Sequence, residues 1–490
     1  MKKYILLVLS VLIFGQFAAK AQFSALINQN AYATQKMESY IEFMFLIDGK
    51  TTQYHPNEKG RYVSEIEIKV DIADKTNDSI VQRLHYILLS DEFEDTLRTN
   101  KAYFSDIKNV KVPCGDYYLY YTLIDIYQKD TINYIDFVSV QFDDTKVSMS
   151  KISLWRTMDK SGEHGFFSKY GYGVTPLFQQ YAPQSVYALP FTVEIYNTEK
   201  IVGKGEKLII KSSITPAEVY RTAKQENIVY KDVISNSALL FMHQFNIFHL
   251  ASGNYYLVVE VLDKDSVLLQ QESVFFQRSN PSVKLDLKNY DDVVIEKTFV
   301  EEMTDLKQLQ EDVASLYPIG SRQEQEFFLQ RMKKVPLDQL QRYFYSFWMK
   351  RNPSDPEGAW NEYKEKLAYV QAHYGSTVIK GYRTDRGRVY LRYGAPTHVT
   401  SEPFDPASYP YEIWHYYVID KQTNVKFIFY NRDLISNNYE LLHSDLMGET
   451  QDPAWQVKLV RRINPIYNPD ITTPEEYWGG NARDQYRYNE

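Results

Sequence analysis

Two stretches of this chain are copies of one pattern, and the repeat limits the fold more than any other feature. The first reads Gly115-Asp116-Tyr117-Tyr118-Leu119-Tyr120-Tyr121-Thr122-Leu123-Ile124-Asp125. The second reads Gly253-Asn254-Tyr255-Tyr256-Leu257-Val258-Val259-Glu260-Val261-Leu262-Asp263. Each opens on Gly and a short polar residue, runs through aromatic and β-branched side chains suited to a pleated surface, and closes on Asp. A further strand-like run follows each copy, at 135–142 and 273–277. A unit repeated at this distance predicts two tandem β modules rather than one large sheet.

The rest of the first 280 residues fits that expectation. Strand-like alternation recurs at 40–46, 63–72, 81–89, 191–195 and 207–214, punctuated by Asp48-Gly49 and Gly203-Lys204-Gly205. The G-[D/N]-Y-Y-L opening resembles the approach to a late strand in β-sandwich domains of the immunoglobulin or fibronectin type. The expected fold is therefore mainly β and multidomain, with β-sandwich 1 at 23–148 and β-sandwich 2 at 149–280. The Gly- and Tyr-rich stretch 162–184 reads as a surface loop entering the second.

Near residue 292 the period changes from two to about 3.6. Thr304-Asp305 caps a helix on which Leu306, Leu309 and Val313 share a face. Pro336 opens a second helix at 337–350, dense with Tyr343, Phe344, Phe347 and Trp348. A third follows Asn352-Pro353-Ser354-Asp355-Pro356 and stops at Gly375, with Trp360, Tyr363, Leu367, Val370 and Tyr374 in one apolar stripe. These define a helical module at 292–375. A small α+β domain is expected at 376–462, with strands at 388–393, 411–419 and 425–430. A Pro-, Asn- and Tyr-rich arm, extended or disordered, follows at 463–490.

The stretch 381–396 is the most specific in the chain. Gly381-Tyr382-Arg383-Thr384-Asp385-Arg386-Gly387-Arg388 reads as a charged turn leading into a strand, which Gly394-Ala395-Pro396 ends. Together with Phe347-Trp348, Asp355-Pro356, Asn361-Glu362-Tyr363, Glu412-Ile413-Trp414-His415-Tyr416 and His443-Ser444, it resembles the GWxTD domain family, common in secreted proteins of Bacteroidetes-type bacteria. The resemblance covers about 340–460, and Tyr382 stands where the family name has Trp. It implies an exported envelope protein and brings no catalytic residues with it.

The ends and the composition agree with export. Met1-Lys2-Lys3, an apolar run and Ala19-Lys20-Ala21 make a secretory signal peptide at 1–21. The only cysteine, Cys114, is far from that site, so the protein is not expected to be a lipoprotein or to form an internal disulfide; Cys114 reads as a small buried filler. Losing Lys2, Lys3 and Lys20 takes the formal charge from −8 to about −11, which argues against nucleic acid as a partner. No later run reaches the roughly 20 apolar residues of a transmembrane helix. The expected location is the periplasm, with the cell surface or exterior second.

Asp385 could serve as a base and Arg386 with Arg388 as an anion clamp. No nucleophile, phosphate loop or second paired carboxylate accompanies them, so a structural turn tied by arginine to a carboxylate such as Glu412 is the stronger reading. Gly381, Tyr382, Thr384, Asp385, Arg386, Gly387, Arg388, Glu412, Trp414 and His415 are accordingly motif or contact candidates, none catalytic. His373, His398, His415 and His443 with Glu412 raise a metal site. Glu412 and His415 lie an odd number apart on a strand and face opposite sides, so neither metal nor cofactor is expected. Tyr409, Tyr411, Trp414 and Trp478 could stack on sugars if solvent-facing. The expected function is non-enzymatic protein–protein interaction with envelope proteins; the alternative is glycan binding or processing, which requires Tyr411 and Trp414 to be exposed.

Overall fold

A computed structural model describes residues 23–95, 103–160, 165–217, 227–405, 408–420, 422–434, 437–452 and 454–460, with Ala482 and Tyr486. The expected signal peptide and all of the expected arm except those last two residues lie outside them. The described chain is mainly β and divides into two compact units. One is built from Glu42–Ser139 with the strand residues up to Gln29, the other from Asn30–Ile41 and everything from Val140 onward.

In the first unit, strands β3 (Glu65–Asp74), β4 (Ile80–Leu89), β6 (Gly115–Asp125) and β7 (Thr131–Val140) form a sheet in the order β4-β3-β6-β7. A second sheet joins β1 (Ala25–Ala33), β2 (Ser39–Asp48) and β5 (Tyr103–Lys111) in the order β1-β2-β5. Strand β3 alternates strictly: Ile66, Ile68, Val70 and Ile72 are buried, while Glu67, Lys69 and Asp71 face out. From β6, Tyr121 turns inward and meets Phe43 of β2 edge-on at 6.2 Å between ring centroids.

The second unit begins with β8 (Ser153–Asp159), β9 (Phe167–Lys169), β10 (Tyr172–Pro176), β11 (Ala188–Tyr196), β12 (Lys207–Pro216), β13 (Ile228–Ile234), β14 (Ala238–Asn246), β15 (Gly253–Leu262) and β16 (Leu268–Arg278). Antiparallel neighbours β16-β15-β12-β13 make one sheet; β11, paired with β8 and β14, anchors the other. Phe191, Val193 and Phe241 share a single core with Ile210, Leu257 and Phe276. The expected surface loop at 162–184 is instead a hairpin of β9 and β10 within this unit. Tyr170 and Gly171, at φ 55° and 77°, turn the chain where Lys169 pairs with Tyr172, and the strands are too short to show an alternation in the sequence.

The two repeat copies share one device. The Tyr117 hydroxyl donates to the Pro113 carbonyl at 2.9 Å, and the Tyr255 hydroxyl to the Ala251 carbonyl at 3.0 Å. Each ring folds over the glycine two residues before it: a β-carbon on Gly115 would stand 2.9 Å from the Tyr117 hydroxyl, and one on Gly253 would stand 3.3 Å from the Tyr255 ring. Cys114, expected to be buried, is exposed. Alternation back from inward-facing Tyr117 places residue 114 on the outer side.

The chain continues into helices α1 (Leu306–Ser315), α2 (Arg322–Gln330), α3 (Leu337–Arg351), α4 (Pro356–Tyr374) and α5 (Asp385–Tyr393). Asp305 caps α1 by accepting from the amides of Lys307 and Gln308, and Ser321 with Glu324 makes a reciprocal cap on α2. Leu309 and Val313 are fully buried, while Leu306, expected beside them, is 37% exposed at the helix start. The stripe on α4 buries Trp360, Tyr363 and Val370 against Phe344, Phe347 and Trp348 of α3. A sheet of β17 (His398–Glu402), β18 (Tyr411–Ile419), β19 (Gln422–Tyr430) and β20 (Glu440–Ser444), antiparallel throughout, closes the region with the short helix α6 (Trp455–Leu459). No helix among the described residues is long and apolar enough to cross a membrane.

Candidate functional site

The motif does not form the expected turn and strand. Thr384 is an N-cap, and residues 385–393 are helix α5. The Thr384 hydroxyl accepts from the Gly387 amide at 3.1 Å and donates to the Gly381 carbonyl at 2.8 Å, and Asp385 places its charge in the first turn, where the helix dipole favours it. The alternation that suggested a strand has a different cause. Leu391 enters the helical core and Val389 the core of the sheet, so α5 is buried on two sides.

Close backbone approach explains both glycines. The Gly381 amide donates to the Gln371 side chain at 2.8 Å, and a β-carbon there would stand 2.4 Å from the Val370 carbonyl oxygen. Tyr382, 7% exposed, lies in the helical core and donates its hydroxyl to Glu311 at 3.2 Å, while Arg383 donates to that hydroxyl at 3.3 Å. Burial raises the Tyr382 phenol above its ordinary pKa, so it stays a neutral donor.

Three charges of α5 reach three different parts of the sheet region. Asp385 accepts from the Leu441 amide at 2.8 Å. Arg386, 4% exposed, donates to Glu412 at 2.8 Å and to the Asn437 carbonyl at 2.6 Å, with its guanidinium over the rings of Tyr439 and Tyr374 at 4.2 and 5.0 Å. The other Glu412 oxygen accepts from the Trp414 indole at 2.9 Å. Arg388 makes a two-pronged pair with Glu449 at 2.8 and 2.7 Å, and Tyr393 donates to the same carboxylate at 2.7 Å. Burial alone would raise the Glu449 pKa; the Arg388 fork and the Tyr393 hydroxyl outweigh it and hold the carboxyl below its usual range.

The GWxTD domain family matches residues 286–457, which takes in all of these groups and the helices that carry them. The chain carries a GWxTD domain. No curated protein matches it. Similar solved structures include red sea bream transglutaminase, 8% identical over 53% of this chain and 32% of that one, with a TM-score of 0.18. Another is trypsin-activated alpha-2-macroglobulin from Escherichia coli, 9% identical over 53% of this chain and 17% of that one, with a TM-score of 0.16. The chain thus spans about a third or less of either.

Within the GWxTD domain, β18 sends Glu412 and Trp414 toward α5 and His415 to the opposite face. His415 is 4% exposed and pairs across strands with His398 and Lys426; neither of its ring nitrogens closes a hydrogen bond to a described residue. Burial and the Lys426 charge lower its pKa, against an opposing pull from Asn424, so the ring is held neutral. The other histidines lie apart: His373 stacks on Tyr369 at 3.9 Å, and His443 accepts from the Asp452 amide at 3.0 Å. Among the described residues, no group of three or more His, Cys, Asp or Glu is placed to hold a metal.

The sugar-stacking candidates do not form a surface row. Tyr411 and Trp414 are buried in the two cores flanking the sheet; Tyr409 is half-buried against Tyr430; Trp478 lies outside the described residues. The sequence reading missed Glu449, Asn437, Lys426 and Tyr486. Each owes its place to a contact more than 40 residues away, and no local spacing marks it.

Proposed function

We propose that this protein is exported to a bacterial envelope, in the periplasm, and acts there without catalysis through contacts with other envelope proteins. The observation that carries the reading is the use of the motif charges. Asp385, Arg386 and Arg388 are each engaged inside the domain, on Leu441, Glu412 and Glu449, so the motif reads as a frame that fixes helices to sheet. Contact with partners then falls to other surfaces, including the face of the sheet turned away from α5.

The two β regions read as tandem sandwiches of the immunoglobulin or fibronectin type, serving as spacers or docking modules. Their support is the paired Tyr117 and Tyr255, each returning its hydroxyl to backbone four residues upstream, as the tyrosine corner of such sandwiches does. Export rests on the basic start, short apolar run and small-x-small site of the first 21 residues.

The test is cross-linking in intact cells of a tagged chain at native expression, followed by fractionation and identification of what is captured. Recovery from the periplasmic fraction, with the same envelope proteins in repeated captures, is the expected result. A chain found in the cytoplasm, or one that captures nothing above a tagged control, would overturn the reading.

A further inference from the structure

The face of the GWxTD sheet opposite α5 holds a built receptor for one side chain. Tyr486, about 26 residues beyond the end of the continuous described chain at Val460, lies there against β19, β20 and α6. Its hydroxyl donates to the Asp445 carboxylate and lies 3.3 Å from Nε2 of His443. Its ring packs on Trp455 at 5.1 Å, and Lys426 reaches both its ring face, at 5.2 Å, and its backbone carbonyl.

The polarity of this network is consistent from end to end. Nδ1 of His443 accepts from the Asp452 amide at 3.0 Å, which leaves Nε2 facing the tyrosine oxygen. That oxygen in turn donates to Asp445, whose other carboxylate oxygen accepts from the Lys426 amide at 3.2 Å. The acceptor and the donors all belong to the sheet and its flanking turns, so the receptor is set by the domain and not by the segment it holds. Ala482, four positions before Tyr486 in the sequence, packs into the same cluster.

We propose that this face is a peptide-binding site that recognises a tyrosine-bearing segment, and that the segment around Tyr486 is its ligand, which the same segment added in trans can replace. The chemistry asked of the ligand is a tyrosine whose hydroxyl donates to Asp445 and whose ring fits between Trp455 and Lys426, with a small residue four positions earlier. The proposal deepens the reading of the protein as one that works by protein contacts, and it names the chemistry of one contact.

The test uses the full-length chain carrying Tyr486→Ala, which empties the receptor without truncation, and a synthetic peptide of residues 481–490 titrated calorimetrically. Saturable one-to-one binding is expected, weakened about tenfold or more when the peptide carries Tyr486→Phe, because a hydrogen bond to a charged acceptor is lost. Asp445→Asn added to the receptor chain should weaken the unmodified peptide while leaving the Phe peptide little changed, which separates loss of recognition from loss of fold. No binding, or equal binding of the Tyr and Phe peptides, would overturn the proposal. Either failure would leave the envelope reading to stand or fall on the cross-linking result.

Discussion

Gly387 passes so close to Gly381 that a β-carbon on Gly387 would stand 2.0 Å from the Gly381 carbonyl oxygen. That oxygen already accepts from the Thr384 hydroxyl at 2.8 Å, so it cannot retreat without breaking the cap of α5. Gly→Ala inside an unobstructed helix is ordinarily stabilising by up to about 1 kcal/mol. Here the sign should reverse, with a loss of about 2–3 kcal/mol from overpacking, seen as a fall in melting temperature. A Gly387→Ala chain that melts at or above the parent would show that the approach is not a real constraint.

Arg386 and Glu412 make a buried ion pair between α5 and the sheet. Removing one partner of such a pair leaves a charge without compensation and costs about 3–5 kcal/mol. Arg386→Met and Glu412→Gln should each destabilise strongly in denaturant unfolding, and the double variant should cost at least ~1 kcal/mol less than their sum. Strict additivity would mean that Arg386 is held by Asn437 and the Tyr374 and Tyr439 rings, with Glu412 a bystander.

What could be read from the sequence depended on whether an element had one buried face or two. Strand β6 and helix α4 each bury one face, and their types were readable from the aromatic-rich run at Tyr117 to Leu123 and from the stripe of Trp360 to Val370. Helix α5 lies between two cores, and its pattern imitated a strand at 389, 391 and 393. The site was legible only as residue types. Arg386 and Arg388 stand out as charges, but that one takes Glu412 and the other Glu449 depends on the path of β18 and of the turn after β20, which no spacing encodes.

Tyr117 and Tyr255 give a test of the repeat. Tyr→Phe at either position keeps the ring and removes one hydroxyl-to-carbonyl bond, at about 1 kcal/mol each. The two residues lie in different compact units, so the costs should add in the double variant. Denaturant unfolding of the two single variants and the double checks this. A single variant as stable as the parent would mean that its hydroxyl ties down nothing.

Glu449 should make the stability of the domain depend on acid. Its carboxyl is buried, but the Arg388 fork and the Tyr393 hydroxyl keep its folded pKa below the unfolded value of about 4.3. A group with a depressed folded pKa contributes stability that is complete above the unfolded pKa and is lost as pH falls through the folded one. At pH 7, Glu449→Gln should therefore destabilise by roughly 3 kcal/mol, since Arg388 loses its charged partner. The gap in melting temperature between parent and variant should stay constant from pH 8 to about 5 and narrow steadily below about 4.3. A gap that persists unchanged to pH 3 would mean that Arg388 and Glu449 are not coupled as an ion pair in the folded chain.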